Sequence, residues 1–481
     1  MTPTFRPSDR DALRELTKDQ LIDIILEQSE RIEALTRLVE RLGERVKELE
    51  RAAARTAAPF SKGEGKKKKK KPGRKKGQGP FTNRKEPDTR PSDAVNTTFV
   101  ELGERACPGC GGELEIAVEV CTTTDVPEEP QRRIERFEVE CGTCPACGRK
   151  TRGEHPALPR DQHGATAHRV GDRVVAQALA MHYHSGMTLR KAAEATGIIT
   201  GISLTQSALT QRAKDLCEEG ATLGKIYHGL RGEIRDAAVV NTDDTGWRTG
   251  GKPSYLMGFF TPGLAVYQVR PRHRHEEVVE MLGELFWGIL GTDRGPSYEA
   301  EALDGVLQQK CLSHLLKNLS EVEKTKRGRA LSFTRGLKKT LREGLELWHE
   351  HRDGKLGWNE FRKRGKMLEG RLDHQLRERV LSDADNQRLL EGIRKQHQSG
   401  RVLLFLEIPE VEPTNNRAER GLRSAVIARK VSQCSKNATG AGIFETMKSI
   451  TATLKLRGYN VAKALAGLMG GDPMPPAPAG R

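Results

Sequence analysis

From Leu21 the apolar positions step by four and three: Leu21, Ile25, Gln28, Ile32, Leu35, Val39, Leu42, Val46 and Leu49, with Gln28 the one polar member. This is a heptad seam with β-branched residues at a and mostly leucine at d. It predicts a dimerising coiled-coil helix over residues 1–55 in preference to a helix packed on the chain's own core. Thr17 and Gln20 are spaced as a capping box at its start, and Gly43, at an e position, weakens it locally. Farther on the period changes. Short apolar runs bounded by Gly and Pro, from Ala237 to Asp243, Tyr255 to Thr261, Leu264 to Arg270 and Leu285 to Asp293, read as strands. A helix from about His275 to Glu284 precedes the last of them. Between Val170 and Glu219 the pattern is helical. Gly186 to Gly197 followed by Ser203 to Leu209 has helix-turn-helix form, with Thr188 and Thr205 as caps and Gln206 and Gln211 facing outward. A plain helical hairpin supporting the next domain fits the same pattern equally well. From about Ser320 to Arg401 the chain is strongly charged and helical, with Trp348 and Trp358 its main large apolar side chains.

At 481 residues the chain allows two to four domains. No apolar run approaches the roughly 18 residues of a membrane span. The first residues carry no signal-peptide pattern, so a cytoplasmic, nucleoid-associated protein is expected, with no membrane partner. The net charge of +16 favours a polyanion as partner. It is unevenly spread. Residues 62–76 hold ten Lys or Arg and one Glu, among them Lys66, Lys67, Lys68, Lys69, Lys70, Lys71 and Arg74. Residues 56–95 therefore read as a disordered linker able to bind phosphates by counterion release, or as a solvated tail with no dedicated role.

Nine cysteines in a chain expected to be intracellular point to metal or buried thiols rather than disulfides. Cys107 and Cys110, then Cys144 and Cys147, form two C-x-x-C knuckles, each followed by a glycine that permits a tight turn. Together they suit one structural Zn²⁺ in a domain over residues 96–158. Cys141 makes a second C-x-x-C with Cys144 and is the alternative fourth ligand. Cys121, Cys217 and Cys434 are expected to be buried thiols.

Three acids stand out by position. Asp243 and Asp293 end predicted strands, and Glu419 lies in Thr414-Asn-Asn-Arg-Ala-Glu-Arg-Gly-Leu-Arg423, which reads as a helix start. Such placement lets three carboxylates meet at one sheet edge, where hard oxygen ligands suit Mg²⁺ or Mn²⁺. Among 65 acidic residues, three chosen ones carry little weight alone. If the first strand continues, Asp243 and Asp244 face opposite ways and only one reaches the metals. Asn416 and Arg423 share a helix face with Glu419. Cys311 and His314 are too few for a structural metal site and read as a packed pair.

The words around these acids change the weighting. Asp243-Asp-Thr-Gly-Trp247, Cys311-Leu-Ser-His314 and Pro413-Thr-Asn-Asn-Arg-Ala-Glu-Arg420, in that order, resemble the transposases of the insertion sequence 66 family, from the N-terminal helix to about Lys463. Asp244 stands where that family often has Glu, and Leu312 where it often has Trp. The resemblance implies a DDE triad of Asp243, Asp293 and Glu419 on a ribonuclease-H-like fold, holding two Mg²⁺ or Mn²⁺ ions. It also implies a zinc segment at the knuckles, a place for Cys311 and His314 in the fold near DNA or metals, and an all-helical insertion. The expected whole is a multidomain α+β protein. A helical DNA-binding region spans 159–232, a catalytic core 233–319 and 407–463, the insertion 320–406 and a disordered tail 464–481. Its expected function is transposition: cutting element ends and joining the 3′-hydroxyl to target DNA, as a homodimer or higher oligomer with accessory proteins of the same element. A catalytically lapsed DNA-binding regulator and a structure-specific nuclease are the competing expectations.

Overall fold

The structure, a computed structural model, describes residues 17–54, 97–99, 109–112, 132–153, 170–432 and 434–477. The chain divides into two units, Met1–Thr124 and Asp125–Arg481, a boundary that falls inside the expected 96–158 segment.

In the first unit, helix α1 spans Lys18–Ala54 and runs through Gly43. Its start is capped as the spacing predicts: Thr17 N–H donates to Gln20 Oε1 at 2.9 Å, and Gln20 N–H reaches Thr17 Oγ1 at 3.4 Å. The seam residues Ile25, Ile32, Leu35, Val39 and Leu42 are all exposed.

The second unit begins with a small antiparallel hairpin, β1 (Cys141–Thr143) and β2 (Lys150–Arg152). Helices α2 (Asp172–Tyr183), α3 (Leu189–Thr200), α4 (Gln206–Cys217) and α5 (Thr222–Arg235) follow. Thr188 and Thr205 cap α3 and α4 by accepting from Lys191 N–H and Ala208 N–H, and Gly201 closes α3 in the left-handed region. Strands β3 (Val239–Thr249), β4 (Lys252–Phe260), β5 (Ala265–Arg270), β6 (Ile289–Thr292) and β7 (Gln308–Lys310) form one mixed sheet in the order β5-β4-β3-β6-β7. The first three strands make an antiparallel meander, while β6 and β7 run parallel to β3. Helix α6 (His275–Leu282) supplies the crossover into β6.

Strand β3 differs from its expected extent. It does not turn after Asp243 but runs to Thr249, because Gly250 and Gly251, both at positive φ, make the hairpin turn into β4. Asp243 and Asp244 therefore lie within paired strand, opposite Gly258 and Met257.

Helix α7 (Leu312–Glu323) leads into α8 (Ala330–Arg352), α9 (Trp358–Leu376) and α10 (Ala384–Gln398). These have their own core of Leu315, Leu337, Leu341, Phe361, Leu372 and Phe405 among others. Trp348 is buried in this core, while Trp358 is exposed, so leucine and phenylalanine supply most of the packing in this layer.

Chain return is made by α11 (Asn416–Ser432), α12 (Ala438–Leu456) and α13 (Val461–Met469). Helix α12 solves the edge problem of β5. The outward N–H groups of Ala265, Tyr267 and Val269 donate to Thr453 Oγ1, Ser449 Oγ and Glu445 Oε1 at 3.1, 2.9 and 2.8 Å. Three polar residues four apart on one buried helix thus stand in for a neighbouring strand. Helices α2–α5 share one continuous core with the sheet and α11–α13, so the described part of the helical region expected at 159–232 is packed on the sheet rather than standing apart. The expected disordered tail from 464 is also corrected. Leu465, Leu468 and Met469 are buried, and Arg457 and Tyr459 donate to the carbonyls of Pro475 and Pro476 at 2.6 and 3.2 Å. Cys217 and Cys434 are half-buried, not buried. Cys121 lies outside the described residues.

Candidate active site

Register brings Asp243 and Asp293 together. The last paired residues of the parallel strands β3 and β6 are Asn241 and Gly291, so the acids two positions beyond on each strand are level at the same edge. Gly291 is needed there, since a Cβ would meet Asn241 Nδ2 at 2.3 Å. Asp243 Oδ1 accepts from Asp244 N–H at 2.9 Å, and Asp293 Oδ1 accepts from Gly295 N–H at 2.8 Å. Burial pushes the Asp243 carboxyl up to about 7. The bond from Asp244 N–H pulls it back, the charges of Asp293 and Asp244 raise it further, and His314 opposes them. Asp244 is also raised, chiefly by burial, but its carboxylate turns to His273 Nδ1 at 3.3 Å. That ring stacks on Tyr255.

Glu419 comes from the first turn of α11, half-exposed, with its N–H donated to Asn415 O. Asn416 and Arg423 are exposed on the same side. The position of α11 is fixed by Asn415, a residue sequence reasoning passed over. Its buried side chain accepts from Asn241 Nδ2 at 3.1 Å and donates to Thr242 O at 2.8 Å, while its N–H donates to Cys311 Sγ at 3.2 Å. Its place beside Asn416 in the helix-start motif was the available signal.

His314, in the first turn of α7, interacts electrostatically with all three acids. Its Nε2 lies 3.9 Å from Glu419 Oε1. Contact with the Cys311 thiol pushes the imidazole up to about 9, burial opposes, and the charges of Cys311, Asp293 and Glu419 add to the rise. His314 Nδ1 is buried and makes no directed hydrogen bond, so the thiol contact is a loose one. Burial works against ionisation of Cys311, yet His314 and the Asn415 N–H hold its thiol below the ordinary value. Among the described residues, Cys311, His314 and Glu419 bring their ligand atoms within 4.8 Å of one another; Asp243 and Asp293 do not join that tighter group.

Beneath Asp293, the fully buried Lys310 ammonium pairs with Glu299 at 2.8 Å and donates to Thr292 Oγ1 and Gln308 Oε1. Glu299 in turn accepts from Gln396 of α10, tying the helical layer to the β6 end. Nothing in the one-dimensional pattern marked this lysine.

Gly148, in the hairpin, and Gly111, in the first unit, follow Cys147 and Cys110, and both take positive φ. The Cys144 thiol is held below its usual value by the backbone N–H groups of Cys147 and Ala146 and by the Cys147 side chain, whereas Cys141 turns its thiol to Val139 O at 3.6 Å. Cys107, Lys66, Lys67, Lys68, Lys69, Lys70, Lys71 and Arg74 lie outside the described residues. Gln206 and Gln211 are exposed on α4, with Gln211 donating to Asp215.

A mixed five-stranded sheet flanked by helices, with Asp243 of β3 level with Asp293 just past the end of the parallel strand β6, defines an α+β protein with an acidic site on the sheet. Residues 168–443 match the family described as Transposase IS66 family, and the chain belongs to that family. It is thus a transposase, a role that carries DNA binding and, in general terms, divalent-metal use. No curated protein matches the chain. Among the described residues no helix is long and apolar enough to cross a membrane.

Proposed function

We propose that this transposase is of the DDE type, with Asp243, Asp293 and Glu419 holding two Mg²⁺ or Mn²⁺ ions on a ribonuclease-H-like core. The observation that carries the reading is the level placement of Asp243 and Asp293 on β3 and β6, with Glu419 turned toward the same imidazole. The strand order and the β-β-β-α-β succession support the fold assignment. The donor set fits hard cations: oxygen ligands predominate, and the Asp243 carboxyl is driven up by burial and by neighbouring negative charge, a strain that a cation relieves. When bound, the two ions supply Lewis acidity to the attacking and leaving oxygens of phosphoryl transfer.

The chain's own residues do the rest. Asp243 and Asp293 keep fixed rotamers through the Asp244 and Gly295 amides. His314, held cationic among the acids, limits their mutual repulsion before the substrate arrives. The reaction is displacement of a phosphodiester oxygen by water at the element's end, leaving a 3′-hydroxyl, which then displaces an oxygen of the target strand.

Residues 96–158 would hold one Zn²⁺ through Cys107, Cys110, Cys144 and Cys147. The choice of Cys147 over Cys141 is supported by its bond to the Cys144 thiol. Helix α4, with Gln206 and Gln211, would read DNA as the second helix of a helix-turn-helix, and the 56–95 linker would tether the backbone. Helix α1 would pair with a second copy. Accessory proteins of the same element would complete the assembly. Cleavage of an end-labelled duplex from the element's terminus tests the reading. Asp243→Asn, Asp293→Asn and Glu419→Gln are each expected to lower it by orders of magnitude while DNA binding survives. Asp244→Asn is expected to cut at near the wild-type rate. If the three amide variants cut as well as wild type, the assignment is wrong.

A further inference from the structure

Beyond Glu419 the helix that bears it continues away from the site with an outer face that carries no further acid. Its exposed residues Glu419, Arg420, Arg423, Ile427, Lys430 and Val431 recur at steps of three and four, forming one stripe, while Ala418, Leu422, Ala425 and Ala428 are buried. No acidic residue occurs from Arg420 to Phe444, or from Thr245 to His275 in the β3–β5 meander. At the chain's average of 65 acids in 481 residues, runs of this combined length would carry roughly eight; they carry none, against ten Lys and Arg.

The two runs are joined in space. A Cβ on Gly258 would lie 3.2 Å from Leu422, and Arg429 donates to Thr245 Oγ1 at 3.0 Å and to the Gly246 carbonyl. Beyond α11, Ser435 bridges Thr249 and accepts from Trp247 Nε1. The far end of the stripe therefore meets the β3–β4 tip, where Arg248, Lys252 and Lys436 are exposed. Among the described residues, Arg420, Arg423, Lys430 and Lys436 make no ion pair or side-chain hydrogen bond. Cations gathered without counter-charges repel one another, an arrangement that a polyanion compensates.

We propose that the outer face of α11, continued over the β3–β4 tip, is the track for duplex DNA leaving the Glu419 site. The proposal rests on the reading that phosphodiester chemistry occurs at Glu419. Its occupant is chosen by charge and by continuity: the stripe starts at that acid and carries only cations and apolar residues outward. From Glu419 to Lys430 the helix rises about 16 Å, the length of about five base pairs on the duplex axis. The other candidate occupant is a protein, which would use Ile427 and Val431, exposed by 52% and 49%.

The test uses the full chain in Ca²⁺ buffer and a fluorescent 30-base-pair duplex of arbitrary sequence, titrated across salt. Replacing Arg420, Arg423 and Lys430 together by Gln is expected to weaken binding by about tenfold or more near 0.1 M salt. The slope of log K against log salt should become shallower by about two to three. Arg420→Lys with Arg423→Lys keeps the charge and should keep the slope. An unchanged slope in the Gln variant overturns the proposal. An unchanged slope joined to a shifted oligomeric state in Ile427→Ser with Val431→Ser would assign the face to a protein. A shallower slope in a chain whose wild type does not cut would leave the track standing without the catalytic reading. An unchanged slope in a chain that cuts would remove the track alone.

Discussion

His314 holds its Nε2 3.9 Å from Oε1 of Glu419, and the same ring is pushed up to about 9 by Cys311 and the surrounding acids. A cation is thus built into the acidic site from the start of α7. For a histidine held above its unfolded value of 6.5, the linked stability is fully present below about 6.5 and is lost as pH rises through about 9. In metal-free buffer, wild type should therefore lose more thermal stability between pH 6.5 and 9.5 than His314→Gln does. Parallel melting curves across that range check it; equal losses would mean that the imidazole is not held protonated.

Asp243 carries a consequence of the same sign at lower pH, from an uncharged form held by burial rather than a charged one. Its folded carboxyl is raised from 3.8 to about 7, so the stability it contributes is present below 3.8 and lost as pH climbs through 7. Asp243→Asn should be more stable than wild type at pH 8 without metal. Adding Mg²⁺ should raise the wild-type melting temperature, since a ligand bound only by the folded state stabilises it. The gain should shrink in Asp243→Asn and Asp293→Asn. A metal-induced shift of the same size in both variants would place the ions elsewhere.

How much of this was legible before the fold was known differs by element. The α3 and α4 caps were readable because Thr188 and Thr205 act on amides three residues away. The strand at β3 was cut short because Gly246 and two aspartates mimic a turn; pairing with β4 overrides that local preference. Asp243 and Asp293 were expected at one sheet edge because both close apolar runs, and the β3–β6 register sets them level. Lys310 and Asn415 stayed invisible because their partners, Glu299, Asn241 and Thr242, are set by tertiary packing and not by spacing. Burial of α13 was missed because the proline-rich segment after it looked like a tail, whereas Arg457 and Tyr459 pin that segment down.

Gly421 lies two residues after Glu419 and faces the sheet. A Cβ there would sit 2.2 Å from the ring of Phe260, and Tyr267 Oη donates to the Gly421 carbonyl at 2.9 Å. Gly421→Ala must displace either the ring or the helix, costing about 1–3 kcal/mol. Because Glu419 rides on the same turn, cleavage should fall far more than stability does. The comparison is with Gly229→Ala on α5, where nothing lies within 4 Å. Full cleavage by Gly421→Ala would show that α11 has slack.

The hairpin between β1 and β2 turns the Cys147 and Ala146 amides toward the Cys144 thiol, an arrangement that favours thiolate and hence metal. Freshly purified protein should contain one zinc per chain. Cys144→Ser and Cys147→Ser should each lose it, and Cys141→Ser should keep it, because the Cys141 thiol is directed at Val139 O. Metal analysis of the three variants checks the order. Loss on Cys141→Ser with retention on Cys147→Ser would exchange the two ligands.

Helix α1 leaves Ile25, Ile32, Leu35, Val39 and Leu42 exposed along one seam, with Ile32 63% and Val39 66% accessible. A single amphipathic helix of this length keeps such a stripe in water only at a cost, and each large aliphatic side chain removed from water is worth about 1.5–3 kcal/mol. Pairing of two copies through that seam is the arrangement the heptad spacing serves, with β-branched Ile25, Ile32 and Val39 at a favouring two parallel strands. In such a pair Gln28, exposed at a d position, would cost some stability. The full chain should sediment as a dimer or a multiple of one. Ile32→Asp with Val39→Asp places charge at two central a positions and should shift it to half the mass, leaving the second unit folded, as its unchanged melting transition would report. A wild-type chain that sediments as a monomer at high concentration would overturn the pairing.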